Sequence, residues 1–261
     1  MLHKPSGYAI ATLALWAMLA APASAVDLRI GLGAGIAPDY EGSDDYTGVP
    51  LWNLTASNLY HQDTFVALVG TSLRSNLLAH PNLRLGLSGQ YKPERDDVED
   101  ERVDQMRNID GALMVGVLAG YDFDPARDRD LVIELDARAD VAEGNGALGT
   151  LRGRWAGRTG PSSVVRVEAS STYASEDYMS EYFGVSNANA ARSGLDRFDA
   201  DDGFKDIGIG VNLDYNLTSN WILSGTAAYT LLLGDAADSP IVDDRGNANQ
   251  FFLGALINYK F

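Results

Sequence analysis

The 261-residue sequence contains no cysteine. That excludes a disulfide framework, a thiol nucleophile and a Cys-bound metal centre. After the first 25 residues no stretch reaches the ~18 consecutive apolar residues that a helical membrane span requires. Histidine is scarce: beyond His3 there are only His61 and His80. Hydrolysis near neutral pH usually runs on a histidine base, so a Ser/His/acid site is disfavoured and no enzyme is expected. Positive charge is also short, with 20 Lys and Arg against 36 Asp and Glu, for a net charge of −16. That acidity disfavours nucleic-acid partners, whose phosphates are held by cationic side chains. The clusters Asp44-Asp45, Asp96 to Glu101 and Asp243-Asp244 lack the fixed spacing of a calcium loop and read as solvated loop. Gly31 and Gly33 sit in a period-two pattern with no helix after it, which rejects a dinucleotide fingerprint. No cofactor or metal site is expected.

What is present begins with a leader. Residues 1–25 carry Lys4, an apolar run from Tyr8 to Ala21, and the small-residue site Ala23-Ser24-Ala25. This reads as a secretory signal peptide cleaved before Val26, leaving one domain over 26–261. Hydrophobic residues make up 46% of the chain, yet they are spread in alternation. Leu131, Ile133, Leu135, Ala137 and Ala139 oppose Glu134, Asp136, Arg138 and Asp140. In the last stretch, Phe251, Leu253, Ala255, Ile257, Tyr259 and Phe261 alternate with a more polar set that Phe252 and Leu256 interrupt. A period of two means a strand with two unlike faces. In a soluble sandwich the apolar face meets a core; in a barrel it meets lipid, and the charged face lines the lumen.

Strands read at 27–37, 48–56, 82–92, 109–123, 131–141, 147–157, 164–174, 204–217, 221–233 and 249–261. Long connections fall at 38–47, 93–107, 175–203 and 234–248. If 64–78 were one strand, the count would be odd and the long loops would alternate sides. A hairpin bent near Gly70-Thr71 gives 12 strands and puts every long loop on one rim, as outer-membrane barrels require. Ten strands is the fallback. The expected fold is therefore all-β, an antiparallel up-and-down transmembrane β-barrel.

Four segments carry a resemblance: PDYEGSDDY (38–46), DYMSEYFGVS (177–186), GDAADSPIV (234–242) and the terminal NYKF. With them the chain resembles the MipA/OmpV family of outer-membrane proteins, named after the MltA-interacting protein. The resemblance implies a barrel in the outer membrane of a Gram-negative bacterium, surrounded by its lipid. It implies that the closing strand, through Tyr259 and Phe261, is read by the assembly machinery. It also implies a non-enzymatic scaffold linking a murein lytic transglycosylase and a penicillin-binding protein in peptidoglycan remodelling. Other members are porin-like or adhesive at the surface, so a narrow channel or an adhesion protein is the alternative.

On that fold, Arg152, Arg154, Arg166, Glu168, Glu134 and Asp136 are expected in the lumen, together with Arg29, Arg84, Lys92, Asp140, Asp206 and Asp214. They are either a solute-selecting pore lining or cross-strand ion pairs filling a small barrel; the second is favoured. A scaffold also needs a surface on the periplasmic side. The turn DFDPARDRD (122–130) combines length, mixed charge and Pro125, so Asp124, Arg127, Asp128 and Arg129 are the candidate docking residues.

Overall fold

The computed structural model describes residues 26–123 and 129–261, without the side chains of Arg129 and Asp130. The leader and the candidate docking residues Asp124, Arg127 and Asp128 lie outside the described residues, and Arg129 is described by its backbone alone. Twelve strands follow one another: β1 Asp27–Pro38, β2 Tyr46–Ser57, β3 Phe65–Val69, β4 Ser72–Asn76, β5 Leu83–Lys92, β6 Ala112–Asp122, β7 Arg129–Asp140, β8 Ala147–Arg158, β9 Ser163–Ala174, β10 Gly203–Asn216, β11 Trp221–Leu232 and β12 Asn249–Lys260. Each pairs antiparallel with the next, and β12 returns to β1 to close the barrel. The expected hairpin is there as the short pair β3–β4, turning at Gly70 with φ +53°. The count is 12, not the fallback of 10.

The wall is apolar outward. Leu32 is 67% exposed, Leu135 56% and Leu253 52%, as lipid-facing residues must be. Aromatic rings meet in pairs at both ends of the apolar band. At the rim where β1 begins (the near rim) these are Tyr121 with Phe123, and Trp221 with Tyr259 and Phe261. At the far rim they are Tyr173 with Phe204, and Tyr229 with Phe251. Phe251 and Tyr259 are eight residues apart on β12, about 26 Å along a strand. A strand tilt of about 40° leaves about 20 Å of height, close to the ~25 Å band of outer-membrane barrels. Two girdles at that spacing fit a bilayer and have no purpose in a soluble sandwich.

Closure depends on β1 having almost no inward side chains past Arg29. Gly31, Gly33 and Gly35 face the lumen, and a Cβ at Gly33 would lie 1.9 Å from the Ala255 carbonyl oxygen. The trough lets β2 and β12 reach across β1, where Asn53 Nδ2 donates to Asn258 Oδ1 at 2.8 Å. Halfway round, a Cβ at Gly116 on β6 would lie 1.9 Å from the Ala137 carbonyl oxygen. At these positions, and at Gly86 on β5 against the Ser75 carbonyl oxygen, only glycine leaves room for the neighbouring strand's backbone.

The far-rim connections correct the sequence reading. They are not solvated loops but a folded cap with its own core. Short helices, Glu101–Asp104, Glu176–Tyr182, Asn187–Ser193, Asp235–Asp238 and Pro240–Asp243, bury Val103, Tyr178, Met179, Phe183 and Ile241. Each such side chain contributes about 1.5–3 kcal/mol relative to exposure, which offsets the ordering of these long segments. Ile109 was expected in β6, but it is drawn out of the wall into this core, pairing with Arg95 in an isolated bridge. Asp100, within an acidic cluster, caps the helix Glu101–Asp104 and holds Arg245 at 2.6 Å.

If β1 requires its glycine trough, Gly33→Val drives a side chain into the β12 backbone. Overpacking costs typically about 1–3 kcal/mol, and more against backbone. The variant is expected to lose its heat-modifiable folded form on semi-native gels at lower temperature than wild type. Gly153→Val, with open space around its Cβ, should not. Equal behaviour of the two variants would contradict the role given to β1.

Candidate functional site

The inside of the barrel holds two charge systems of different character. The first sits under the cap. The turn after β1 places Glu41 at the mouth, next to Gly42 whose φ of +101° suits glycine. Lys92 ends β5, and its Nζ lies 2.7 Å from Glu41 Oε2. Lys205 also bonds to Glu41, and to its neighbour Asp206. Both Lys205 and Asp206 are buried because the β9–β10 register shifts between Phe204 and Asp206. The Tyr178 hydroxyl, in the first turn of Glu176–Tyr182, donates to Glu41 Oε2 at 2.8 Å and accepts from Lys92. Lys92 Nζ lies 3.9 Å from the Tyr182 ring centre and 4.5 Å from that of Tyr178. Burial alone would raise the Glu41 carboxyl, but Lys205 and Lys92 outweigh it and hold the group well below the usual carboxylate range. Burial and the Glu41 charge push the Tyr178 hydroxyl up, so it stays protonated as a donor. Two ammonium groups meet two carboxylates, and the knot is neutral and saturated. It ties β1, β5, β10 and the cap together.

The second system fills the lumen below. Arg29 forks onto Asp214 at 2.8 and 3.1 Å, and Arg166 reaches the same carboxylate at 2.8 Å. Arg84 holds Asp122 at 2.7 Å. Arg152 lies 2.9 Å from Asp136, and Arg138 Nε lies 3.4 Å from it. Arg74 bonds to Glu134 and lies 3.5 Å from Glu168, so it crosses the lumen from β4 to β7 and β9. The Arg29–Asp214 pair and both Arg74 pairs join strands that are not neighbours in the sheet, as a narrow lumen permits, while the others run within a strand or to the next one.

The six lumen charges named from the sequence all face inward and are brought together here. Five are paired: Arg152, Arg166, Glu168, Glu134 and Asp136. Arg154 makes no ion pair within 4.0 Å among the described residues, although it stands opposite Glu168 on the β8–β9 ladder. Glu168 is turned instead toward Arg152 and Arg74. Asp140, also expected in the lumen, is corrected: its carboxylate accepts the backbone N–H groups of Ala142, Glu143 and Asn145 and shapes the β7–β8 turn. Several participants are missed by the sequence reading, among them Asp122, placed there in the turn 122–130, and the following three. Glu41 was read as part of an acidic turn. Arg74 lies on a strand of only five residues, too short to show a face. Lys205 breaks alternation because of the bulge. Both histidines serve near-rim turns: His61 Nδ1 lies 3.1 Å from Asp63, and His80 Nδ1 accepts from the Asn82 and Leu83 N–H groups. Tyr259 lies on the closing strand and Phe261 just past its end, where the Phe261 N–H donates to the Leu28 carbonyl at 3.0 Å.

Comparison with known proteins agrees with this architecture. The family model described as "MltA-interacting protein MipA" matches residues 30–261. Outer membrane protein OmpV of Vibrio cholerae is 30% identical over 172 residues, covering 58% of this chain and 65% of OmpV. The chain thus spans just under two thirds of the length of that relative. The putative outer membrane protein YiaT of Escherichia coli is 25% identical over 250 residues, covering 92% of this chain and 94% of YiaT. The MltA-interacting protein of Escherichia coli is 34% identical over 87 residues, covering 33% of this chain and 34% of its own. Among solved structures, the NanC porin aligns with a TM-score of 0.47 at 10% identity, covering 91% of this chain and 100% of that one.

Replacing Glu41 with Gln leaves Lys92 and Lys205 with Asp206 as their only carboxylate. Breaking a buried pair in this way costs about 3–5 kcal/mol. Amide exchange over Tyr178–Phe183 is expected to accelerate accordingly. The folded Glu41 pKa is depressed, so its contribution is complete above the usual carboxylate range and is lost as pH falls through the folded value. Wild-type protection should therefore hold from pH 8 to pH 5 and fail only in stronger acid. Equal exchange in E41Q and wild type would contradict the knot's role.

Proposed function

The chain belongs to the MipA family and is an outer-membrane barrel, and from that premise we propose that it works as a closed, non-enzymatic docking platform. Its task on this reading is to hold murein-remodelling proteins, a lytic transglycosylase with a penicillin-binding protein, at the inner face of the outer membrane. The observation that carries the reading is the far mouth. A pore must pass solute there, and the cap instead buries Tyr178, Phe183 and Ile241 over a saturated charge knot. Conduction would have to break that knot and open an apolar core. A barrel closed in this way can still act through the surfaces it presents.

One relative is named for interaction with MltA, and the proposal extends that kind of partner to this chain. The near rim is periplasmic in the topology read from loop lengths, and beyond its girdle rings it exposes Tyr60 and Leu217 beside short turns. Apolar side chains with a charged neighbour make an interface of the usual kind, the charge steering encounter and setting register. The charge is assigned to Arg127, between β6 and β7 in the sequence, and Arg129, the first residue of β7. The non-enzymatic part of the reading is supported by both near-rim histidines being used as turn acceptors rather than beside a nucleophile.

Crosslinking in intact cells tests this. Reversing Arg127 and Arg129 to Glu is expected to abolish capture of periplasmic partners while barrel assembly stays normal. The Arg197–Asp199 pair sits exposed on the cap. Unchanged capture in the Arg127/Arg129 variant, with loss on reversing Arg197 and Asp199 instead, would move the interaction outside the cell and overturn the scaffold reading.

A further inference from the structure

The two charge systems differ in balance, and that difference has a use. Under the cap, Lys92 and Lys205 are matched by Glu41 and Asp206. Below it, every carboxylate among the described lumen residues already has at least one arginine. Glu134 takes two, Arg74 and Arg84, and Asp214 takes Arg29 and Arg166. Among the described side chains, seven lumen arginines face five carboxylates there, inside a chain whose net charge is −16. The surplus gathers at Arg154. Its ladder partner Glu168 is shared by Arg74 and Arg152, each at 3.5 Å. Arg152, two residues away on the same face of β8, and Arg74, which reaches the same Glu168, are its like-charged neighbours. A guanidinium with two like neighbours and no carboxylate of its own among the described side chains is unfavourable unless something supplies the missing negative charge.

We infer that Arg154, with Arg74 and Arg152, forms a site for a small soluble oxyanion, a carboxylate or phosphate, entering from the near rim. The guanidinium fork matches two oxygens of either group. Access comes from below, since the cap closes the other end. Inside the closed wall the side chains of Arg166 and Glu168 are still 38% and 35% exposed, so water reaches this depth. Arg166 is three residues from the start of β9 and Arg154 four from the end of β8, both in the near half. The barrel is then a blind chamber: cationic where it opens, neutral where it is sealed. A purely structural ion-pair filling would have no reason to leave one arginine over.

The test uses the mature chain folded in neutral detergent micelles at low salt, titrated calorimetrically with inorganic phosphate and separately with succinate. Saturable one-to-one binding is expected, with the two anions competing. Arg154→Gln should weaken it at least tenfold, and Arg154→Lys should restore part of it. Phosphate should raise the unfolding temperature of wild type and not of R154Q. R154Q without ligand should unfold no lower than wild type, because it removes an uncompensated cation; a structural arginine would show the reverse. Glu168→Gln frees the neighbouring guanidinium groups and should tighten binding several-fold, which keeps the test decisive if R154Q folds poorly. No saturable binding in wild type, wild-type affinity in R154Q, or unchanged or weaker affinity in E168Q would each overturn the site.

Discussion

A barrel in lipid can place ionised groups in only one direction. The outer wall faces hydrocarbon, where a charge costs several kcal/mol, so every Arg, Asp and Glu on a strand must point inward. Period-two alternation then loads the lumen with whatever charge the strands carry. In this chain the load is heavy, and the room for it is small. The glycine trough on β1 and the close approaches at Gly86 on β5 and Gly116 on β6 let neighbouring backbone crowd the interior. Side chains from β4 and β9, or β1 and β10, consequently meet across the interior. The ion pairs follow from this geometry: charges crowded this closely are stabilised by opposite partners. The filled lumen, the sealed end and the surplus arginine all descend from that one constraint.

The cap is the second consequence. The lumen buries single apolar side chains such as Leu118 and Val132 among its charges, and the wall's outer apolar surface is spent on lipid. The larger hydrophobic clusters among the described residues lie elsewhere. The far-rim segments supply them, around Tyr178 and Phe183 and around Val103 and Ile241. Glu41 joins the two regions, since its carboxylate binds wall lysines on β5 and β10 and a cap tyrosine at once. The cap and the barrel are therefore mechanically coupled rather than loosely tethered.

Much of the wall was legible in the sequence because period two is a local signal. Leu131 to Asp140 shows both faces without any knowledge of the rest of the chain. The even strand count followed from requiring all long connections on one rim. The cap was not legible. Its helices are four to seven residues long, too short for a periodic stripe, and the acidic residues around them look like solvent-facing loop. Asp100 illustrates the difficulty: in sequence it is one acid among several, while in the fold it caps a helix and anchors Arg245. The site residues divide the same way. Arg152, Arg166 and Glu168 were found from alternation, whereas Lys205 was hidden by a bulge and Arg74 by a strand too short to display a period.

The claim on which the account rests is that the barrel is closed at its far mouth. Unheated, folded wild-type protein reconstituted in planar bilayers measures this directly. The account predicts little or no steady conductance at moderate voltage, because the Glu41 knot and the cap core block the path. Large, stable, reproducible channels from the same preparation would contradict it.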